Sequence, residues 1–172
     1  MKDFHIITYV PIDGIPPYTD SQLRALYDRV ISEEKDYVFY DGTITSSDDF
    51  IRMVKSEGTT LYVIYHTTTL VLMVWLNRLE GAIARINWCS FDDASTRTKI
   101  KAGRFFNKVI TDRIFDLLIG YTPLSNEKAI KFIKLCGGKI VGTVPNLIWN
   151  EDKGESEDGI ISYYERGSDE NI

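Results

Sequence analysis

The sequence predicts one mixed α/β (α+β) domain, in which a mostly antiparallel sheet is flanked by helices. Strand-like and helix-like runs follow each other in the order β-α-α-β-β-β-α-β-α-β-β. The turns within the central group of three strands are short, which makes those strands antiparallel neighbours. The chain has 172 residues, enough for a single domain with a full core. We therefore place one domain at residues 1–166 and a frayed tail at residues 167–172.

The chain begins with one strand and two helices. Phe4 to Val10 predicts the strand, and Thr19 then opens a helix with a capping box, because Gln22 follows three residues later. The segment from Glu33 to Ser47 is irregular and aromatic. Its aromatic side chains either anchor the segment in the core or line a binding site, and their large apolar area favours anchoring. A short helix from Asp48 to Glu57 follows.

The middle of the chain predicts a three-stranded meander and a third helix. The strand-like runs are Thr60–His66, Leu70–Asn77 and Ala82–Phe91. A polar loop leads from the last strand to a helix from about Lys101 to Ile114, whose aromatic and aliphatic residues recur at helical spacing.

A strand-helix-strand unit comes next. Residues 115–121 predict an apolar strand, and Asn126 opens a helix with apolar residues along one face. Gly137 and Gly138 end this helix, since glycine adopts the left-handed conformation of a helix C-cap at little cost. The chain closes with a hairpin of two strands and an acidic loop (Lys139–Trp149, Glu151–Asp158 and Ile160–Glu165).

Composition and targeting signals restrict the class of protein. No apolar run is long enough to cross a bilayer, and the amino-terminal MKDFHII does not have the form of a signal peptide. Cys89 and Cys136 lie in apolar surroundings without the spacing of metal ligands. We therefore expect reduced core thiols in a cytoplasmic protein, with no metal site and no membrane association.

The charge is unevenly distributed along the chain. The formal net charge is −5, yet Ser95 to Lys139 holds ten Lys and Arg against three Asp and Glu. Either a solvated basic helix face or a site for a polyphosphate explains this cluster. The acidic remainder argues against general nucleic-acid binding, which requires a broad basic face.

A family resemblance begins at Asn126. The run N-x-x-A-I-x-F-x-x-x-x-G, followed by G-x-x-P-N, resembles the carboxyl-terminal half of the GNAT family, the acetyl-CoA-dependent N-acetyltransferases. The order of elements is similar to the GNAT fold over nearly the whole chain. The form AGRFFxxxI…GYTPxxNxxA also resembles the divergent GNAT-like proteins that bacteriophages encode. The resemblance implies transfer of an acetyl group from acetyl-CoA to a primary amine, in a cell's cytoplasm, in a phage's host or in a virion.

The resemblance also implies which residues contact coenzyme A. In the family an Asn opens this helix and contacts the cofactor, which here is Asn126. A loop of the form R-x-x-G-x-G/A cradles the pyrophosphate, and its nearest counterpart is Ala102-Gly103, flanked by Lys101 and Arg104. A helix N-terminus with nearby cations suits a phosphate on general grounds. Since only one glycine is present, an ordinary basic helix cap is the alternative.

The residues for proton transfer depart from the family pattern. The family often places a carboxylate on the strand before the phosphate loop, and the candidates here are Glu80 and Asp92, which flank that strand. Both also suit ordinary solvated acids. Ile133 occupies the position of the Tyr that often protonates the departing thiolate. His66 and three tyrosines are the remaining titratable candidates (Tyr121, Tyr163 and Tyr164).

GNAT geometry implies that the acceptor lies between residues 33–47 and the acidic loop 151–158. An acidic rim attracts a cationic amine, on a small molecule or a protein.

The missing tyrosine and the single glycine support a second class of function. In this alternative the chain is a catalytically degenerate GNAT-fold structural or interaction protein, such as a homo-oligomer or a component of a phage assembly.

Overall fold

The structure, a computed structural model, describes residues 3–10, 15–151 and 153–167, except for the side chain of Asp36. The described residues form one seven-stranded sheet with helices on both faces, so the predicted fold class and element order are confirmed. The strands are β1 (Phe4–Thr8), β2 (Thr59–His66), β3 (Thr69–Glu80), β4 (Ile83–Ser90), β5 (Leu117–Pro123), β6 (Lys139–Asn150) and β7 (Glu155–Glu165). The helices are α1 (Asp20–Ser32), α2 (Ser47–Val54), α3 (Thr96–Arg113) and α4 (Glu127–Leu135), and a 3₁₀ turn covers Asp36–Phe39.

The sheet has one parallel contact among antiparallel ones. Its strand order is β1-β2-β3-β4-β5-β7-β6. Neighbouring strands are antiparallel except β4 and β5, which are parallel and are joined through α3. This single parallel pair lies at the centre of the molecule and positions the candidate site.

Two hydrophobic clusters hold the helices on the sheet. On one face α1 and α2 cover a cluster that includes Leu23, Phe50 and Trp75, and on the other face α3 and α4 cover a cluster that includes Phe106 and Leu118. Residues 70–76 are buried throughout, because β3 is covered on both faces. This burial explains why the strand is a continuous apolar run rather than an alternating one.

Helix α3 begins five residues earlier than the predicted Lys101. The Ser95 hydroxyl accepts a hydrogen bond from the Thr98 amide at 3.2 Å, so Ser95 caps the helix and Thr96 is its first residue. The sequence pattern identified the apolar face but missed this cap. The early start places the basic residues of this stretch within α3 instead of in a loop before it.

The closing hairpin also has a shorter connection than predicted. Strand β6 runs to Asn150 and β7 begins at Glu155, which pair with each other across the turn. Glu157 pairs with Ile148, so the carboxyl-terminal half of the predicted loop 151–158 lies in a strand. Helix α2 ends at Val54 and β1 at Thr8, each short of its predicted end.

Two further expectations concern the ends of the chain and membranes. The predicted frayed tail lies outside the described residues from position 168 onward. Among the helices that the structure describes, none combines the length and the apolar character needed to span a membrane.

Candidate functional site

A gap opens between β4 and β5 in the middle of the sheet. The two strands pair over three positions only, from Ile83 opposite Leu117 to Arg85 opposite Ile119. Beyond this point β4 continues to Ser90, and β5 pairs with β7 on its other edge. The facing edges of β4 and β5 are therefore free of mutual strand pairing, and their N–H and C=O groups are open to an extended ligand.

Two helix N-termini stand at the wide end of this gap. Helix α3 follows β4 and helix α4 follows β5, so both begin at the same end of the parallel pair. Asn126 caps α4 by accepting a hydrogen bond from the Ala129 amide at 3.0 Å. The remaining amides of each first turn lack partners within their helix, and the positive ends of both dipoles favour an anion here.

A cavity lined by cations adjoins the first half of α3. It has a volume of about 430 Å³, and we call it the basic cavity. Its lining residues come from α3 and from the β1–β2 edge of the sheet (Asp3, Phe4, His66, Arg97, Thr98, Lys101 and Arg104). The structure thus brings the predicted Lys101 and Arg104 together with Arg97 and His66. Arg104 also donates from Nε to the Leu135 carbonyl at 2.8 Å, which ties α3 to the end of α4.

The expected phosphate loop at Ala102-Gly103 is not a loop. Both residues lie inside α3 and are buried, so their backbone amides are engaged in the helix. A Cβ atom on Gly103 would lie 2.6 Å from the Cys136 sulfur. The glycine therefore allows α3 and the end of α4 to approach closely, and phosphate contact is left to the side chains and to the first turn.

The predicted base Glu80 lies at the closed end of the β4–β5 pair, far from the wide end of the gap. It is exposed at the end of β3 and pairs with Ile83, at the closed end of the β4–β5 pair. The wide end of the gap is roughly 20 Å away along the strand, given a rise of about 3.3 Å per residue. This position does not support a role for Glu80 in proton transfer at the gap.

The other predicted base, Asp92, lies beside the start of α3 but is engaged in ion pairs. Its carboxylate accepts hydrogen bonds from Lys35 Nζ at 2.7 Å and from Lys99 Nζ at 3.4 Å. The Lys35 hydrogen bond lowers the pKa of Asp92 below its usual range. A carboxylate with a lowered pKa is a weaker base, so this arrangement favours a structural role.

Asp92 belongs to a charged network that connects α1 to the loop before α3. Lys35 is buried and also pairs with Glu33 at 2.5 Å, and Arg29 pairs with Glu33 and Asp93. Burial raises the pKa of Glu33, but hydrogen bonds from Lys35 and Arg29 outweigh it and lower the pKa overall. The network holds the β4–α3 loop in place and thereby positions the N-terminus of α3.

The side chain at the family's tyrosine position is not available as an acid. Ile133 is 2% exposed and fills the space above Gly138, where an added Cβ would lie 2.5 Å from it. Tyr164 packs at the same place, and burial raises the pKa of its hydroxyl. Tyr163 lies against Lys139 on β6. The third tyrosine, Tyr121, lies on β5 two residues after Ile119, where β5 no longer pairs with β4, and therefore borders the gap.

The α1–α2 face of the gap carries a residue that the sequence prediction missed, Arg85. Its Cζ lies 5.2 Å from the centre of the Tyr121 ring, and its Nη2 donates to the Tyr40 hydroxyl at 3.3 Å. Asn87, two residues along β4 on the same face, donates to Asn77 at 3.0 Å. The sequence did contain one indication of its role, because Arg85 is the single charged residue in the strand β4.

The aromatic segment between α1 and α2 serves both purposes that the sequence left open. Phe39 is buried against Tyr27, Phe50 and Trp75, as anchoring predicts. Tyr40 instead reaches Arg85 at the gap. The segment is thus anchored by one aromatic ring while its neighbour lines the candidate site.

On the α3–α4 face the gap is lined by an aromatic pair. Trp88 of β4 and Phe132 of α4 have ring centres 4.3 Å apart. Both are partly buried against the core beneath α3 and α4. They form an apolar wall between β4 and the second half of α4.

Solved structures of acetyltransferases match this fold, although no family model and no curated protein sequence matches the chain. RimL, a ribosomal L7/L12 alpha-N-protein acetyltransferase, matches with a TM-score of 0.69 and 11% identity, over 87% of this chain and 88% of that chain. A spermidine N-acetyltransferase from Vibrio cholerae, solved with CoA and spermine, matches with a TM-score of 0.69 and 12% identity, over 98% of both chains. MccE, a microcin C7 self-immunity acetyltransferase solved with acetyl-CoA and AMP, matches with a TM-score of 0.65 and 14% identity, over 86% and 88%. At these identities the similarity shows the fold, and the predicted GNAT fold is confirmed.

Proposed function

Because the chain has the GNAT fold, we propose that it transfers an acetyl group from acetyl-CoA to a primary amine. The observation that carries this proposal is the gap between β4 and β5, with two helix N-termini at its wide end, and the basic cavity lies beside the first half of α3 at the β1–β2 edge of the sheet. An open parallel pair with anion-binding helix ends suits an elongated ligand that has phosphates at one end and amides along its length.

The donor groups suit acetyl-CoA in three places. Arg97, Lys101 and the first-turn amides of α3 match the charge of its phosphates. The free edges of β4 and β5 match the amides of its pantetheine arm. The side-chain amide of Asn126, beyond the oxygen that caps α4, has N–H groups to offer at the gap. Trp88 and Phe132 supply an apolar wall beside this path.

The reaction itself asks little of the protein beyond positioning. The amine nitrogen attacks the thioester carbonyl carbon, a C–N bond forms, and the C–S bond breaks with its electron pair leaving on sulfur. The amine proton passes to water, because Asp92 is held in ion pairs and Glu80 lies at the closed end. The thiolate takes a proton from solvent, and holding both reactants in the gap supplies the rate enhancement.

The acceptor would approach from the α1–α2 face. Exposed carboxylates on the β6–β7 hairpin, including Glu151 and Glu155, favour a cationic amine on this side. The spermidine N-acetyltransferase and RimL act on amines, which supports an amine acceptor here. Both cysteines are free thiols in the core, consistent with a cytoplasmic site of action.

Calorimetric titration with acetyl-CoA tests the proposal. We expect saturable binding to the wild-type protein and at least tenfold weaker binding to an Arg97→Ala, Lys101→Ala double variant, a change of about 1.4 kcal/mol. Lys108→Ala is the matched control, because Lys108 lies on α3 outside the basic cavity and pairs with Asp112.

Thiol release with a panel of amines then tests the chemistry. Acetyl-CoA binding followed by amine-dependent release of thiol supports an N-acetyltransferase. Absence of binding at millimolar acetyl-CoA would overturn the proposal and leave the non-catalytic module. Binding without turnover over a broad panel of amines would leave a coenzyme A binding protein.

A further inference from the structure

Arg85 is a cation in the sheet that forms no ion pair with any other residue that the structure describes. Its Nε atom is buried and has no hydrogen-bond partner, and the contacts of its guanidinium are the Tyr40 hydroxyl and the face of the Tyr121 ring. None of the ion pairs among the described residues involves Arg85. Among the described residues, its direct contacts thus supply a hydroxyl and a π face but no carboxylate.

This arrangement costs stability in the absence of a ligand. Arginine stays charged at any pH at which proteins fold, so it cannot lose its proton to relieve the cost of burial. A hydroxyl and an aromatic face offset only part of the desolvation of a guanidinium. The Nε atom is buried although the residue as a whole is only partly buried, and a counter-ion beside a partly buried charge is held more strongly than in water.

Arg85 lies where an acceptor in the gap can contact it. Arg85 is the last β4 residue paired with β5, so it lies at the apex of the gap. Arg85 pairs with Ile119 of β5, and Tyr121 lies two residues further along β5, towards the wide end. An anionic group bound to Arg85 would therefore lie at the narrow end of the gap, and the rest of the molecule would extend towards the wide end.

The segment Tyr40–Gly42 contacts the β6–β7 turn at Glu151 and covers this part of the α1–α2 face; we call this contact the bridge. The Glu151 amide at the β6–β7 turn donates to the Tyr40 carbonyl at 2.9 Å. Gly42 packs so closely against Glu151 that an added Cβ would lie 2.8 Å from its Cγ. The segment containing Tyr40 thus reaches from Arg85 on β4 to the hairpin, which favours a small molecule over a protein chain as the occupant.

We propose that the acceptor is a small amine that also carries a compact anionic group, a carboxylate or a phosphate, and that Arg85 binds this group. The proposal rests on the proposed acetyltransferase function for the identity of the amine. A guanidinium binds carboxylate or phosphate through two parallel N–H donors, which fixes orientation as well as position. Arg85 is thus a specificity-determining residue, and the amine end points towards the gap.

Matched pairs of amines test the specificity. One kind of pair is an amino acid with its decarboxylated amine, for example tyrosine with tyramine. The other is phosphoethanolamine with ethanolamine. We expect the wild-type protein to prefer the anionic member of at least one pair by tenfold or more in kcat/KM, measured by thiol release. In Arg85→Gln the preference should disappear while the affinity for acetyl-CoA is retained, and Arg85→Lys should keep part of it. A wild-type preference for the members that lack the anionic group, or an unchanged preference in Arg85→Gln, would overturn the proposal.

A second experiment measures anion binding at Arg85 directly and does not depend on acetylation. The Nε–H resonance of Arg85 in a ¹⁵N-labelled wild-type sample, assigned by its loss in Arg85→Lys, is followed during titration with sodium acetate and with sodium phosphate. Sodium chloride at equal ionic strength is the control. We expect a saturable shift with acetate or phosphate, and the anion that saturates at lower concentration identifies the preferred group.

The two experiments separate the two proposals. No saturable shift with either anion overturns the Arg85 site even when acetyl-CoA binds and amines are acetylated. A saturable shift in a protein that does not bind acetyl-CoA supports the anion site and overturns only the acetyltransferase.

Discussion

Gly103 joins two helices because it has no side chain. Since an added Cβ would lie 2.6 Å from the Cys136 sulfur, Gly103→Ala forces α3 away from the end of α4. We expect this overpacking to cost about 1–3 kcal/mol, more than the gain of up to about 1 kcal/mol from the higher helix propensity of alanine. Urea unfolding of the two proteins measures the difference in the free energy of unfolding.

Removing the sulfur should reverse the sign. In a Cys136→Ala background the clash is gone, so Gly103→Ala should become neutral or stabilising. Gly142→Ala is a control for glycine replacement as such, because an added Cβ there has no neighbour within 4 Å. Equal destabilisation by Gly103→Ala in both backgrounds would show that the Cys136 contact is not the cause.

The pKa of Glu33 predicts how stability depends on pH. Because its pKa is lowered in the folded protein, Glu33 stabilises the fold above its unfolded pKa, about 4.3, and this contribution is lost as the pH falls through the folded value. Glu33→Gln should lower the free energy of unfolding by about 1–3 kcal/mol at pH 7. Below about pH 4 the difference between the two proteins should shrink.

Urea unfolding of both proteins between pH 3 and pH 8 provides the measurement. Asp92 has a lowered pKa as well, so the variant should keep some loss of stability in acid. A difference that stays constant over the whole range would mean that the charge of Glu33 contributes nothing to the network.

These residues also show what a sequence can reveal about a site. Asn126 was predicted as a helix start because its residue type and its spacing to the apolar positions depend on local chain geometry alone. Arg85 was missed, because its role depends on Tyr40 and Tyr121, which reach it from distant parts of the chain. Gly103 was predicted to serve a phosphate, whereas its neighbour is a sulfur 33 positions away.

Helix α4 has a start whose two functions can be separated by mutation. The Asn126 side-chain oxygen caps the helix, and its amide nitrogen is proposed to contact the cofactor. Asn126→Asp keeps the capping oxygen and removes the N–H donors, so stability should be retained while acetyl-CoA binds more weakly. Asn126→Ala should lose both, at a cost of about 1 kcal/mol in the free energy of unfolding.

Unfolding experiments and calorimetry on the two variants make the comparison. Weaker binding in both variants with loss of stability in Asn126→Ala alone is the expected pattern. Acetyl-CoA affinity that is unchanged in Asn126→Asp would restrict Asn126 to its capping role.

The helices and strands were predictable in order but less so at their ends. Apolar spacing recurs over many residues, which makes the existence of an element robust. The start of α3 depends on one hydroxyl, that of Ser95, and the pattern of buried residues begins only after it. The β7 strand begins within an acidic stretch, because pairing with β6 overrides the low strand propensity of Glu155 to Asp158.

The uneven charge of the whole chain predicts a salt effect on binding. In the proposed function the basic cavity attracts the phosphates of acetyl-CoA, and salt screens such an attraction over about 10 Å at 0.1 M. We expect the Kd for acetyl-CoA to rise steadily between 50 mM and 500 mM sodium chloride. In the Arg97→Ala, Lys101→Ala variant the dependence on salt should be shallower, whereas Lys108→Ala should retain the wild-type slope.

The fold of the whole molecule was predictable to a greater degree than its site. The order of elements, the short central turns and the helix opened by Asn126 were sufficient for the GNAT fold. The basic cavity and the bridge over Arg85 arise where segments distant in sequence meet. Their side chains follow no periodic pattern, so only the assembled structure brings them together.

The contact between Trp88 and Phe132 gives the protein its own optical probe. Trp88 is the tryptophan that borders the gap, whereas Trp75 is buried against Phe39 on the opposite face and Trp149 is on the β6–β7 hairpin beside Glu151. An elongated molecule that enters the gap should change the polarity around this indole more than around the other two. Emission spectra can therefore report occupancy of the gap without a label, and a Trp88→Phe variant identifies which part of the signal comes from it.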